Sequence, residues 1–309
     1  MPVACDLVGE ILEWKAKRNA VILAHHYQDS EIQELADHIG DSLELAQAAR
    51  NSSAAVIALC GVRFMAETAK ILNPGKTVVF PDRHAGCSLV DSCPVEGVRA
   101  FRRRHPDHVV VTHINTSAQV KAESDILCTS RNAVAVVNSV PAKQAILFLP
   151  DANLGAYVQK QTGRKNMQVW QGACIVHATF PARRLTALRT EYPEALVAAH
   201  PECPADVLRN AHFVGSTSEI VNWCRRQSAD EFIVVTESGI RYTLERNSPG
   251  KRFYFLANQS CNCSECPYTR LNTLEKLHAA LETLEPCIEL PAAILERARI
   301  PIDRMLAIV

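Results

Sequence analysis

The sequence lacks three features, each of which is typical of a large class of proteins. It has no run of about 18 apolar residues, so it contains no candidate transmembrane helix. It has no excess of either charge, because 33 Lys and Arg residues balance 33 Asp and Glu residues. The N-terminal segment MPVACDLVGEILEWKAKRN carries a charge every few residues and lacks the apolar stretch of a secretory signal. We therefore expect a cytoplasmic protein with neither nucleic acid nor membrane as its partner.

Aromatic residues are also scarce, at 6% of the chain, but apolar residues as a whole are not. They make up 48% of the 309 positions, which is enough to bury the cores of two or three domains. The unusual component is cysteine, with twelve residues. A disulfide framework is typical of small secreted chains. In this longer chain we instead expect cysteines that are buried, catalytic or bound to metal.

Short apolar runs alternate along the chain with polar clusters and helical segments. Runs with strand character occupy 20–24, 54–59, 77–80, 108–112, 126–127, 145–149, 167–170, 195–199 and 213–214. This alternation predicts an α/β fold with small parallel sheets flanked by helices. Because ligands bind at the carboxyl ends of parallel strands, the polar clusters that follow these runs indicate an enzyme. One helix is predicted from Ser30, where Gln33 would complete a capping box, to Gly40.

The spacing of three cysteines suggests an internal repeat. Cys87 and Cys174 are 87 residues apart, and Cys174 and Cys266 are 92 apart. Three units of similar length would each bring one cysteine to the same edge of the fold. We predict domains at 1–86, 87–173 and 174–264, with the segment 265–309 packing on the first.

Three of the cysteines lie within six residues, in the run CNCSEC at 261–266, followed by Pro267. This density indicates a metal or cluster site. No second C-x-x-C pair is present for a zinc knuckle, so Cys87 and Cys174 are the natural partners from distant segments. Three thiolates on a four-iron cluster would leave one iron open as a Lewis acid, which favours dehydration chemistry over electron transfer. The alternative is a set of unrelated core or redox cysteines.

The chain resembles the quinolinate synthase family over nearly its whole length. The motifs that carry this resemblance are AHHYQ at 24–28, GDSL at 40–43, GVRFMAETAK at 61–70, GCSL at 86–89, WQGACIVH at 170–177, HPE at 200–202, GSTS at 215–218, CPY at 266–268 and NTLE at 272–275. The resemblance implies three αβα domains in pseudo-threefold arrangement around a [4Fe-4S] cluster, with the active site at their central junction. It implies that Cys87, Cys174 and Cys266 bind the cluster and that Cys261 and Cys263 do not.

The resemblance also implies a reaction, the condensation of iminoaspartate with dihydroxyacetone phosphate to quinolinate in NAD biosynthesis. Such an enzyme needs a phosphate cradle, carboxylate clamps and groups that move protons. The family match assigns Ser216 and Thr217 to the phosphate. It assigns further contacts with substrate to Ser42, Asn115 and Ser130. An enzyme that oxidises aspartate and delivers the labile imine is a conceivable partner.

Acid–base groups can be argued from chemistry as well. Glu202 follows a strand in a partly desolvated position, where we expect its pKa to rise towards that of a general base. His25, His177 and His200 each lie in a motif at a strand end and are predicted to bind substrate or move protons. Tyr27 would orient or protonate the hydroxyl that leaves. At His113 the family usually has tyrosine, so a role for this residue is a hypothesis.

Two other functions remain open from the sequence. One is an iron–sulfur redox sensor that uses the clustered C-terminal thiols. The other is a zinc-dependent aldolase-like enzyme whose ligands are the histidines at 25, 177 and 200. A sensor does not need acid–base groups at strand ends. A zinc site made of three histidines leaves the three spaced cysteines without a purpose.

Overall fold

The computed structural model describes residues 6–256 and 264–308, and its strands form three sheets of four parallel strands each. The first sheet has the order β2-β1-β3-β4 and consists of β1 (Ala20–His25), β2 (His38–Gly40), β3 (Val56–Cys60) and β4 (Thr77–Val79). Its helices are α1 (Leu7–Lys17), α2 (Ser30–Leu35), α3 (Ser42–Asn51) and α4 (Arg63–Leu72). Every residue of β3 is buried, as expected for a strand covered on both faces.

The second sheet repeats this order as β6-β5-β7-β8. Its strands are β5 (Val109–His113), β6 (Ile126–Cys128), β7 (Ile146–Leu149) and β8 (Met167–Val169). The accompanying helices are α5 (Ser88–Asp91), α6 (Val95–Arg104), α7 (Ala118–Ala122), α8 (Ala133–Ser139) and α9 (Ala152–Thr162). Phe148 in the central strand β7 is fully buried and anchors the core on one face of this sheet.

The third sheet has the order β10-β9-β11-β12. Its strands are β9 (Leu196–Ala199), β10 (Phe213–Val214), β11 (Glu231–Val235) and β12 (Arg252–Phe255). Its helices are α10 (Ala182–Glu191), α11 (Ala205–Leu208), α12 (Thr217–Arg226) and α13 (Arg241–Asn247). The α/β class with small parallel sheets, predicted from the alternation of apolar runs and helical segments, is confirmed.

Two C-terminal helices, α14 (Leu274–Thr283) and α15 (Ala292–Leu306), pack back on earlier parts of the chain. Helix α14 contacts α1 and β3 of the first unit. Helix α15 contacts α4 of the first unit and α7 and β6 of the second, so it joins the two. The domain boundaries predicted from the cysteine spacing stay a prediction. Within the described residues, no helix has both the length and the apolar character to cross a bilayer.

The helix predicted from Ser30 to Gly40 is shorter than expected. It ends at Leu35, and His38–Gly40 forms strand β2 beside β1. The reason is Asp37, whose carboxylate accepts hydrogen bonds from the backbone N–H of Ile22 and from Lys15, which holds this segment against β1. The predicted capping box is also wrong, because the Gln33 side chain donates to the carbonyl oxygens of Gln28 and Gly239 instead of capping the helix.

Candidate active site

The three sheets place equivalent side chains at one edge. Strands β1, β5 and β9 each occupy the second position of their sheet, and their carboxyl ends carry His25, His113 and His200. The pairing is equivalent too, since His25 lies opposite Gly40 and His113 opposite Cys128, each 15 residues on. The sequence contained this signal as a histidine repeated at intervals of 88 and 87 residues, which the cysteine spacing alone did not reveal.

Further polar residues follow the same repeat. Two residues beyond each of these histidines stand Tyr27, Asn115 and Glu202. The strands that pair with β1, β5 and β9 at the sheet edges are β2, β6 and β10. Ser42 and Ser130 lie two residues after the ends of β2 and β6, and Thr217 lies three residues after the end of β10. Because the sheets are built alike, each contributes one histidine, one second polar group and one hydroxyl to the site.

These groups line a single cavity. Of the residues predicted for the site, the lining includes His25, Tyr27, Ser42, Cys87, Asn115, Ser130, Cys174, His177, His200, Glu202, Thr217 and Cys266, together with His113. Ser216 is the exception. It is the N-cap of α12, and its hydroxyl donates to Asp41 Oδ2 at 3.0 Å. The structure therefore gives Ser216 a helix-capping role, and its contact with phosphate stays a prediction.

Glu202 is a buried carboxylate surrounded by three histidine rings. Its carboxylate lies 3.1 Å from His177 Nδ1, 3.7 Å from His113 Nδ1 and 3.9 Å from His200 Nδ1. Burial by itself would raise the pKa of Glu202, but the His177 hydrogen bond and the nearby imidazoles outweigh it and lower that pKa. The sequence-based expectation of a raised pKa is therefore wrong, because it considered desolvation without these partners.

A chain of hydrogen bonds runs from Glu202 to Tyr27. Since a carboxylate can only accept, the His177 nitrogen facing Glu202 carries a proton, and its other nitrogen, Nε2, accepts from Thr236 Oγ1 at 2.9 Å. Thr236 Oγ1 in turn lies 2.8 Å from the Tyr27 hydroxyl. The sequence analysis missed Thr236, because strand β11, which it directly follows, was itself not predicted.

The Tyr27 hydroxyl has a second partner, Thr217 Oγ1, at 2.9 Å. Burial raises the pKa of Tyr27 well above its ordinary value, so this hydroxyl keeps its proton at neutral pH. Tyr27 is therefore a proton donor held between two threonines that follow different strands of the third sheet.

The three strand-end histidines differ in how their rings are held. His25 Nδ1 accepts the backbone N–H of Tyr27, and His200 Nδ1 accepts that of Glu202. Both rings therefore present Nε2 as a donor when neutral. Burial is the main cause that lowers the pKa of His25 to about 3 and the pKa of His200 well below its usual range.

The second unit leaves its polar atoms without such partners. His113 Nδ1 and Asn115 Oδ1 are buried and make no hydrogen bond to the described residues. Both residues line the cavity. Since a buried polar group without a partner is costly, these two atoms indicate that the cavity takes a polar ligand.

The three cysteines reach the cavity from three loops, and all three are free thiols. Each precedes a helical turn: Cys87 is the N-cap of α5, and Cys174 and Cys266 precede 3₁₀ turns. In each case the backbone N–H groups two and three residues ahead interact with the sulfur and favour its thiolate. Burial nevertheless raises the pKa of all three, to about 12 for Cys87. These thiols need a nearby cation in order to ionise.

A mixed donor set overlaps this group. The ligand atoms of Cys174, His177 and Glu202 lie within 4.8 Å of one another, an arrangement able to hold a single metal ion. Among the described residues, this set rather than the three histidines meets that distance. Cys261 and Cys263, which the resemblance excludes from the ligands, lie outside the described residues.

The glycine two residues before Cys174 is required by packing. Gly172 lies in the loop that carries this cysteine. A Cβ at this position would lie 2.2 Å from Ser92 Oγ and 2.6 Å from the Pro150 carbonyl oxygen. Close packing of the protein chain therefore accounts for this glycine.

Fold and site together define an α/β enzyme whose three sheets share one cavity lined by thiols, imidazoles and carboxyl groups. Residues 9–307 match the family model described as quinolinate synthetase A protein. The chain belongs to this family.

Full-length relatives agree with this assignment. The chain is 55% identical over 303 residues to a quinolinate synthase of a Synechocystis species, which covers 98% of this chain and 95% of the relative. It is 52% identical over 307 residues to that of Thermosynechococcus vestitus, covering 99% and 96%. It is 53% identical over 302 residues to that of Prochlorococcus marinus, covering 97% and 90%. The resemblance found in the sequence motifs is confirmed.

Proposed function

We propose that this protein is a quinolinate synthase that condenses iminoaspartate with dihydroxyacetone phosphate, releasing phosphate and two waters for each quinolinate formed. The names of the relatives support the activity. The observation that carries the proposal is that three free thiols share one cavity with the hydrogen-bonded chain from Glu202 to Tyr27.

The cofactor of this proposal is a [4Fe-4S] cluster bound by Cys87, Cys174 and Cys266. The donor set fits it, because three thiols from separate loops converge and each is met by two backbone N–H groups at the start of a turn. When bound, such a cluster would supply one iron without a protein ligand, which acts as a Lewis acid in the loss of water.

The protein's own acid–base chemistry centres on His177. With Nδ1 donating to Glu202, His177 is held in the tautomer whose Nε2 receives a proton through Thr236. Glu202 orients this imidazole and stabilises the imidazolium that forms, as the carboxylate of a hydrolase triad does. This arrangement gives the role of base to the His177–Glu202 pair rather than to Glu202 alone.

Tyr27 is the other end of this path. Its hydroxyl can take up a proton from the substrate while it passes its own proton through Thr236 to His177, and in the reverse direction it releases a proton to the leaving hydroxyl group while His177 returns one through Thr236. The hydroxyl of Thr217 holds the phenol in place at 2.9 Å. Proton transfer between His177 and Tyr27 then needs no bulk water.

Substrate contacts fall to the remaining polar groups of the lining. His25 and His200, neutral and with Nε2 free to donate, suit carboxylate oxygens. Ser42, Ser130 and Asn115 come from the loops after β2, β6 and β5 and add neutral hydrogen-bonding groups. Thr217, at the start of the ten-residue helix α12, is suited to phosphate because backbone N–H groups point out of that end.

The cellular setting completes the proposal. Quinolinate is consumed in the synthesis of pyridine nucleotides, which is cytoplasmic chemistry. The imine substrate hydrolyses readily, so an enzyme that oxidises aspartate must supply it nearby. The partners of the site itself are the two small-molecule substrates, iminoaspartate and dihydroxyacetone phosphate.

The experiment measures iron, acid-labile sulfide and quinolinate formation on protein purified without oxygen. We expect about four iron and four sulfide per chain. Cys174→Ser should lose colour, iron and activity together, whereas the control Cys287→Ser, which changes a half-buried thiol outside the cavity lining, should keep all three.

The same experiment separates the alternatives. Zinc without sulfide would overturn the proposed cluster and favour a metal-dependent aldolase that uses Cys174, His177 and Glu202. A full complement of iron and sulfide with no quinolinate from iminoaspartate and dihydroxyacetone phosphate would favour a redox sensor. Intact activity in Cys174→Ser would contradict the assignment of ligands.

A further inference from the structure

Two buried carboxylates hold the backbone of two of the three cysteine loops. Asp151 is fully buried, and its Oδ2 accepts the backbone N–H of Cys174 at 3.1 Å. Its other oxygen, Oδ1, accepts the N–H of Leu154 at 2.6 Å. The Asp151 side chain thus bridges the start of α9 and the loop that carries Cys174.

Glu237 repeats this arrangement in the third unit. It too is fully buried, and its Oε1 accepts the backbone N–H of Cys266 at 3.0 Å. Its Oε2 accepts the N–H of Gly239 at 2.7 Å, and Arg270 donates to Oε1 at 3.2 Å. Glu237 therefore fixes the main chain of Cys266 to the loop that follows β11.

The two carboxylates occupy equivalent positions. Strands β3, β7 and β11 are each third in their sheet, and the residues two beyond their ends are Val62, Asp151 and Glu237. The first unit has no carboxylate here. Its cysteine loop is instead joined to the second loop by Ser88, whose hydroxyl donates to the Ala173 carbonyl and accepts the N–H of Ile175.

We propose that Asp151 and Glu237 are positioning residues for the metal ligands. Each uses one carboxylate oxygen for the backbone N–H of one ligand cysteine and the other for an anchoring backbone N–H, so that the sulfur of the cysteine faces the cavity. This inference rests on the proposed cluster. It extends the ligand set outward by two named side chains, of which Asp151 lies outside the cavity lining and Glu237 borders the cavity. Outer partners of this kind control how tightly a metal site keeps its metal.

An amide tests this role, because it has one acceptor oxygen where the carboxylate has two. In Asp151→Asn and Glu237→Gln, either the cysteine N–H or the other N–H must lose its partner. The matched control is Asp37→Asn. Asp37 also uses both oxygens, for the Ile22 N–H at 2.8 Å and for Lys15, but at the opposite end of the first sheet.

The first readout is release of iron to a chelator from anaerobically reconstituted protein. We expect Asp151→Asn and Glu237→Gln to release iron about 10- to 100-fold faster than the parent, and Asp37→Asn to match the parent. Iron-release rates equal to that of the parent in both Asp151→Asn and Glu237→Gln would overturn the proposal. If one variant fails to fold, as judged by circular dichroism, the other variant still tests whether its carboxylate positions the cysteine of the same loop.

The second readout works without the cluster and therefore separates the two levels of inference. On metal-free reduced protein, alkylation is followed cysteine by cysteine by mass spectrometry. Asp151→Asn should speed labelling of Cys174 but not Cys266, and Glu237→Gln the reverse, with Cys87 unchanged in both. Equal acceleration at all three thiols would indicate general loosening and contradict the proposal. A parent protein that binds no iron would refute the proposed function. The labelling rates of Cys174 and Cys266 in the two variants would still test the positioning role.

Discussion

His113 Nδ1 lies 3.7 Å from Glu202 Oε1, across the junction of the second and third sheets, and has no hydrogen bond in the described structure. Its counterparts in the other two units differ. The Nδ1 atoms of His25 and His200 are satisfied by the backbone two residues on. Of the three strand-end histidines, His113 is thus the one whose Nδ1 makes no hydrogen bond to the described residues and is left for a ligand.

The first prediction concerns this nitrogen. Tyrosine keeps a hydrogen-bond donor at this position, so His113→Tyr should leave quinolinate formation largely intact. His113→Phe removes the donor and should lower kcat/KM by about tenfold. Steady-state kinetics under anaerobic conditions measure both, with His278→Phe as a control, since His278 pairs with Glu10 outside the cavity lining. Abolished activity in His113→Tyr would mean that the site is built around the imidazole.

The second prediction concerns the path from His177 to Tyr27. Thr236→Ala breaks both hydrogen bonds of this path and should lower kcat by about 100-fold with little change in KM. Thr236→Ser keeps the hydroxyl and should retain most of the activity. The control is Thr112→Ala, which removes an equally buried hydroxyl bonded to Ser124 outside the cavity lining. Equal losses in the Ala and Ser variants of Thr236 would rule out a proton path through this hydroxyl.

The third prediction concerns the packing of the Cys174 loop. A methyl group in Gly172→Ala would meet the Pro150 carbonyl oxygen, which is backbone and cannot swing away. We expect the free energy of unfolding to fall by about 1–3 kcal/mol and iron content to fall with it. Gly75→Ala, where a Cβ meets nothing within 4 Å, should stay within about 0.5 kcal/mol of the parent. Thermal unfolding measures both, and equal midpoints would contradict the packing argument.

The fourth prediction concerns pH and the buried His26, which is hydrogen-bonded to Thr243 and Ser218 of the third unit. Burial lowers the pKa of His26 from 6.5 to about 4. Between these values the unfolded chain takes up a proton that the folded chain refuses, so stability falls as the pH drops through this window. At pH 5 the loss from this residue is about 2 kcal/mol.

Urea titrations of the metal-free reduced chain at pH 7 and pH 5 measure this effect. His26→Gln keeps an amide that can reach both hydroxyls but does not titrate. Its free energy of unfolding should therefore change less between the two pH values than that of the parent. Parallel profiles would show that His26 is not the group responsible. The other buried histidines are present in both proteins, so their contribution cancels.

Local pattern was sufficient for the strands that carry most of the site. The run at 20–24 is apolar throughout because β1 is covered on both faces, and the polar residues after it lie at the carboxyl end of the strand, where a parallel sheet binds its ligand. The spacing of Cys87, Cys174 and Cys266 likewise pointed to three units, and each cysteine reaches the cavity from its own loop. Strands β2, β11 and β12 were missed. Strand β2 has three residues, with His38 exposed, and the carboxylate of the preceding Asp37 holds it beside β1.

What the sequence determined by itself is the chemistry present at each strand end, because residue type and burial pattern are local properties. What the tertiary structure decided is which of those groups meet. Tyr27 finds Thr217 and Thr236 about 200 positions away, and Glu202 gathers three imidazoles that reverse the expected direction of its pKa shift. Ser216 turns away to cap its helix and bind Asp41. These outcomes depend on how the three sheets pack together, and no local pattern contains that information.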